Sequence, residues 1–220
     1  MEVSEKSFSE LEGRCLAIAE RFRVKLREDE QGLDESAARI WVLALSRGLS
    51  SSVFVRVGAD YYDRDLDYRR HCLSAVSVEH LCKSIVMENK QYSSELGFPE
   101  DDLRYNRYYM VVLQYTRRLN PQNVLRYVRD VLNSGRGISS KHYNFRLADD
   151  VEKLTGFTHN SVTPLGSKTS IPILLSDNIL NLKPAHFWLG AGETDLKWCI
   201  DIDQFRQSFN PHIATVTFTS

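Results

Sequence analysis

Between two apolar runs, AsnPheArgLeuAla (144 to 148) and IleProIleLeuLeu (171 to 175), the chain carries LeuThrGlyPheThrHisAsnSerValThrProLeuGly, residues 154 to 166. Glycines at 156 and 166 and a proline at 164 break any helix or strand laid across this segment, so the backbone must bend at least twice. Two buried-type strands flanking a loop of Gly, Asn, Ser, Thr and Pro read as a scaffold that presents a shaped stretch of main chain. The acidic residues Asp149, Asp150 and Glu152 before the loop read as a solvated helix start rather than a paired acid and base. Lys83, at the head of the apolar run SerIleValMetGlu (84 to 88), is the cation that such a loop can meet across a cleft.

The remaining pattern sets the fold class. An amphipathic helix is expected from Ser7 to Leu26, with Leu11, Cys15, Ile18, Phe22 and Leu26 on one face and a capping box at Ser7 and Glu10. A second helix, Ala37 to Arg47, follows an Asp34 cap and stops at Gly48. Short β runs are expected at Val53 to Val57, 108 to 115, 187 to 189, 196 to 202 and 213 to 219. The strongest is TyrTyrMetValValLeuGlnTyr, which has aromatic and β-branched residues and no breaker. Asn120 caps and Pro121 opens a helix to Leu132, with Val124, Leu125, Val128, Val131 and Leu132 on its apolar face. A short helix is expected near Gln204 to Phe209. Strands and helices alternate irregularly, which predicts one mixed α/β domain rather than a regular doubly wound sheet.

With 220 residues and 42% hydrophobic content the chain can bury one good core, and a formal net charge of −1 supplies no overall field toward nucleic acid or anionic lipid. Any polyanion therefore has to meet a local patch. The segment Arg104, Tyr105, Arg107, Tyr108, with Arg117, Arg118 and Lys141, offers one, able to follow an RNA backbone and stack on an end base, or else to serve as an ordinary solvated strand rim. The four cysteines form no CxxC pair and the six histidines no HxxxH or HExxH spacing, so no metal or other cofactor is expected. A Cys82 nucleophile paired with His80 or His159 is disfavoured, because strand alternation sends Cys82 and Lys83 to opposite faces. GlyAlaGlyGlu (190 to 193) lacks the third glycine and the following helix of a dinucleotide loop. No run reaches the roughly 18 apolar residues of a membrane span and the acidic start is not a secretory signal, which makes the cytosol the expected address.

LysSerIleValMetGlu, TyrTyrMetValValLeu, AsnPheArgLeuAla, LeuThrGlyPhe, SerValThrProLeuGly, IleProIleLeuLeuSerAsp and PheTrpLeuGlyAlaGlyGlu with AspLeuLysTrp occur in the order found in the YbaK family, also called the prolyl-tRNA synthetase-associated domain. The chain resembles that family over residues 50 to 208, and its longer form looks like a eukaryotic branch. The resemblance implies a twisted mixed sheet or partial barrel surrounded by helices over 50 to 220, with a helical extension over 1 to 49. It also implies a free-standing editing enzyme that hydrolyses, without a metal, the ester between a wrong amino acid and the terminal ribose of tRNA. Its essential lysine matches Lys83. Its GxxxP loop matches Asn160 to Pro164, with Asn160 in place of the first glycine, and its later glycine turn matches GlyAlaGlyGlu.

On this footing Lys83 is expected to hold the phosphate or carbonyl region of the acceptor end. The amides of Ser161, Val162 and Gly166 are expected to stabilise the oxyanion, and the hydroxyls of Ser161 and Thr163 to orient water, with Asn160 and Pro164 shaping the loop. Gly156, His159, Gly190, Ala191, Gly192, Arg104 and Tyr108 are the expected substrate contacts. The partners implied are the acceptor end of a mischarged tRNA and, through residues 7 to 26, a synthetase or scaffold protein. A noncatalytic module that binds tRNA or a synthetase on the same fold is the second reading, and Asn160 in the glycine position is the feature that favours it.

Overall fold

The computed structural model describes residues 35–99 and 101–218. The helix expected from Ser7 to Leu26 and the Asp34 cap lie outside the described residues. Helix α1 (Glu35–Ser46) ends in a turn at Gly48, where φ is +76°. Ala37, Ile40, Trp41 and Ala44 recur at helical spacing and are all buried, packing with Leu49, Phe54, Leu165, Phe187, Trp198 and Phe205. Residues 37 to 49 are thus part of the main core, and a domain boundary drawn after residue 49 cuts through packed side chains.

Two sheets share that core. The smaller has the order β1-β7-β6, from β1 (Val53–Arg56), β6 (His186–Gly190) and β7 (Leu196–Asp201), all antiparallel. The larger has the order β4-β2-β3-β5-β8, from β2 (Cys82–Asn89), β3 (Tyr108–Gln114), β4 (Phe145–Leu147), β5 (Ile173–Ser176) and β8 (His212–Ala214). β4, β2 and β3 are antiparallel, whereas β3, β5 and β8 run parallel. The mixed α/β class is as expected. Among the described residues the sheets are joined by one parallel bridge, Leu81 to Trp188, so the wall approaches a barrel without closing.

That incomplete closure positions the site. β4 pairs only with Met87, Glu88 and Asn89, and the bridge to β6 sits at Leu81. Cys82 to Val86 therefore border a gap between β4 and β6.

Local chemistry accounts for the helices. Asp65 caps α2 (Leu66–Cys72) by accepting from the Tyr68 amide at 2.8 Å. A 3₁₀ turn, Ala59–Asp63, precedes it. Asn120 caps α3 (Pro121–Arg126) through the Gln122 amide, and a π-helical turn, Tyr127–Leu132, continues it. The wider turn breaks the 3.6-residue period, so Val124 and Val128 are buried while Val131 is 58% exposed, a correction to the apolar face expected there. α4 (Val151–Thr155) and α5 (Ile202–Phe209) complete the set. The closing β run expected over 213 to 219 is shorter: past Ala214 the chain leaves β5 for the Leu119 loop, touching it at a Leu119–Thr217 bridge. Among the described residues no helix is long and apolar enough to cross a membrane.

Candidate functional site

A cleft of about 560 Å³ opens at the gap beside β2. Its floor is Cys82 to Val86, one wall is Leu147 to Asp149 with Val151 and Glu152 of α4, and the other is Phe157 to Asn160 with Val162. Tyr62, Tyr115 and Gly190 close the end nearest Lys83. Apolar walls with a few polar groups are the usual make-up of a small-ligand site.

Lys83 is half-buried, with its ammonium 5.2 Å from the centre of the Tyr115 ring, and burial holds it below the usual lysine value. No carboxylate pairs with it among the described residues. A partly desolvated ammonium on an aromatic face, lacking a counter-ion, is suited to an anionic or carbonyl oxygen brought by a ligand. Two carboxylates stand on the facing wall. Asp149 is engaged by Lys90 at 2.7 Å, and Glu152 is solvent-exposed.

The loop begins where α4 ends. Gly156 adopts φ +80° and its amide donates to the Glu152 carbonyl, so it terminates the helix and does not line the cleft. Asn160 adopts φ +66°, the left-handed region that asparagine tolerates best after glycine, so the turn forms without a glycine at that position. Its carbonyl accepts the Tyr62 hydroxyl at 2.9 Å. The Val162 amide has no hydrogen-bond acceptor among the described residues and Val162 lines the cleft, whereas a Cβ at Gly190 would meet its carbonyl at 3.5 Å.

Of the other expected loop donors, Ser161 is occupied within the loop and Thr163 and Gly166 lie off the cleft. The Ser161 amide and hydroxyl both donate to the Thr158 carbonyl, at 3.2 and 2.8 Å, and its carbonyl accepts the Gly192 amide at 3.1 Å. Ser161 braces the turn and has no donor left for a ligand. Thr163 is fully buried outside the cleft, its hydroxyl 3.5 Å from the Leu165 amide. Pro164 is buried, and Gly166, at φ +77°, faces Leu43 and Ile40 of α1. Past Val162 the loop turns inward, which buries Thr163, Pro164 and Leu165 in the core.

Of the expected contacts, His159 and Gly190 line the cleft. Ala191 is buried with its amide on the Leu196 carbonyl, and Gly192, at φ +90°, braces Ser161. Arg104 and Tyr108 lie elsewhere. Tyr108 pairs with Glu88 while Lys83 pairs with Leu113, which places Tyr108 at the far end of the ladder, about 17 Å along the strand. In the basic segment Tyr105 is buried and stacked on Tyr92, so it cannot stack on a base. Arg104 and Arg107 are exposed beside Asp102 and Glu88, and Arg118 lies over Phe218. Cys82 and His159 share the cleft, but burial and Glu79 push the Cys82 thiol up, against a thiolate nucleophile. Among the described residues no cluster of His, Cys, Asp or Glu can hold a metal ion.

Three cleft-side residues escape a reading of local pattern: Tyr62, Tyr115 and Lys197. The only local signal is Lys197 itself, a lone cation inside the apolar run LeuLysTrpCysIle. Its side chain is buried, donating to the Tyr62 hydroxyl at 2.9 Å and to the Thr194 carbonyl at 2.6 Å.

No family model matches the chain, and no curated protein matches it. Solved structures do. One described as "a putative trans-editing enzyme for prolyl tRNA synthetase" is 19% identical with a TM-score of 0.65, covering 86% of this chain and all of that one. A scaffold protein carrying a computationally grafted epitope is 18% identical with a TM-score of 0.64 over the same shares, and a hypothetical protein is 16% identical with a TM-score of 0.58, covering 80% of this chain and 96% of that one. At these identities the likeness shows the fold: a mixed sheet and a smaller antiparallel sheet flanked by helices, shared along nearly the whole length of each neighbour.

Proposed function

We propose that the chain hydrolyses the ester of mischarged aminoacyl-tRNA, acting in trans on the acceptor end. The observation that carries this reading is the Lys83 ammonium, unpaired and partly desolvated, in one open cleft with the left-handed turn Asn160 to Val162. A structural neighbour described as a trans-editing enzyme supports it at the level of fold.

Aminoacyl esters are already activated. Water adds to the carbonyl carbon, the oxyanion collapses, and the ribose oxygen leaves with a proton, so the protein has to hold the substrate and steady the developing charge. A fixed donor aimed at that charge is worth about 2.7 to 4 kcal/mol. The Val162 amide has no internal acceptor among the described residues and borders the cleft, and it takes this role. Lys83 holds the phosphate or carbonyl oxygen at the acceptor end. The apolar residues Val86, Leu147, Val151 and Phe157 form the pocket for a small amino-acid side chain. Such a sieve is needed because one methylene is worth only about 1 to 3 kcal/mol to a synthetase.

Incubating the purified protein with a panel of mischarged tRNAs, beside Lys83→Ala, tests the reading. The wild type should shorten the lifetime of at least one ester and the variant should not. Ester lifetimes unchanged across the panel would sink it and leave the binding module.

A further inference from the structure

Lys197 is the second residue of β7 and has 3% of its surface exposed. Its Nζ lies over the rings of Tyr62 and Tyr61, at 4.5 and 5.0 Å from their centres. The nearby carboxylates are engaged elsewhere: Glu193 and Asp195 pair with Arg56 at 2.9 and 2.8 Å. Among the described residues, then, this buried ammonium is held by a phenol and a carbonyl and by no ion pair. Burying a cation this way is costly, and nothing in the packing of the strand requires it.

The direction of the hydrogen bonds says what the cation does. A protonated lysine has no acceptor, so Tyr62 must accept from Lys197. The Asn160 carbonyl has no proton to give, so the single Tyr62 hydrogen goes to Asn160. Tyr115 carries the Lys83 ammonium on its ring. If Lys197 loses its proton, its nitrogen becomes an acceptor and competes with Asn160 for the Tyr62 hydrogen.

We propose that Lys197 and Tyr62 form a proton-dependent latch on the cleft loop: protonated Lys197 directs the Tyr62 hydroxyl onto the Asn160 carbonyl, holding the left-handed turn and the Val162 amide in place, and neutral Lys197 releases them. Both are positioning residues, and the catalytic consequence rests on the deacylase reading given above. Burial draws the Lys197 ammonium down to about 8, with Asp195 opposing and Arg69 reinforcing the shift, so the latch responds in an accessible range of pH. The other groups facing it are Tyr61 and Tyr62 from the 3₁₀ turn, with Tyr115 and Cys82 lining the same small cavity. Arg69 is a fixed cation, its guanidinium donating to the carbonyls of Tyr61, Tyr62 and Arg64.

The test uses wild type, Tyr62→Phe and Lys197→Met between pH 6.5 and 9.5, with two readouts. The first needs no substrate: the carbonyl ¹³C resonance of Asn160 should titrate near pH 8 in the wild type and be pH-independent in Tyr62→Phe. The second is deacylation corrected for uncatalysed ester hydrolysis. Loss of one such hydrogen bond should lower kcat on the order of three- to tenfold at pH 7, with KM little changed, and remove an alkaline limb near pH 8 that the wild type shows. A wild-type Asn160 resonance without an inflection overturns the latch, and that measurement stands even if a variant fails to fold. A titrating resonance in a wild type that hydrolyses no ester upholds the latch and overturns the deacylase reading; hydrolysis with a flat resonance does the reverse.

Discussion

At the scale of single residues, Asn160 and Lys197 are the informative positions. Asn160 occupies a conformation that costs most L residues about 1 to 2 kcal/mol, and asparagine and glycine less. Asn160→Gly should therefore leave the urea midpoint within a few tenths of a molar, while Asn160→Val should cost roughly 1 to 2 kcal/mol. Lys197 makes the opposite kind of prediction. Its folded value, about 8, lies below the ordinary 10.5, so between those limits the unfolded chain binds more protons than the folded one. By linkage, wild-type stability should rise with pH across that window, by something on the order of 3 kcal/mol, relative to Lys197→Met. The penalty is fully present below pH 8. Denaturant unfolding of both proteins at pH 7, 8.5 and 10 would show it, and parallel curves would refute it.

Elements were legible where pattern and local chemistry agree. α1 could be read because Ala37, Ile40, Trp41 and Ala44 share a face, and β3 because seven residues in a row favour a strand. The Asn120–Pro121 start of α3 was equally plain. Its end was not, because a π turn is set by tertiary packing and leaves no mark in hydrophobic periodicity. The difference can be measured: Val128→Ala should cost about 2 kcal/mol, and Val131→Ala, only three residues on, should stay within about 0.5 kcal/mol. Equal urea midpoints for the two variants would mean that the turn is not π-helical in solution. The loop was legible as a bend carrying Asn160, but which amides it spends internally was not. Ser161 looks like a free donor in sequence, and only the fold brings up the Thr158 carbonyl that takes both its amide and its hydroxyl; Thr163 is likewise drawn inward, where its hydroxyl accepts the Leu165 amide.

For the whole molecule, topology decides what local pattern cannot. The cleft exists because β4 is three residues long and β6 is bridged only to Leu81, just before β2, among the described residues; neither length nor pairing partner is encoded near Lys83. Tyr62, Tyr115 and Lys197 come from three separate segments, so no spacing rule joins them. The expected RNA-binding surface fares unevenly: Arg104, Arg107 and Arg118 are exposed and Arg117 is half-buried, but Tyr105 is enclosed by Tyr92, Phe98 and Tyr143. If tRNA follows these arginines, its affinity should fall steeply between 50 and 200 mM salt, since each phosphate neutralised releases counter-ions. Filter binding across that range checks this, and a flat response would move the acceptor arm off this face. Cys82 offers a last consequence. It lies on the cleft floor yet is only 3% exposed, and burial keeps its thiol protonated. An alkylating reagent must wait for the strand to breathe, which makes this sulfur a built-in clock for how often the floor comes apart.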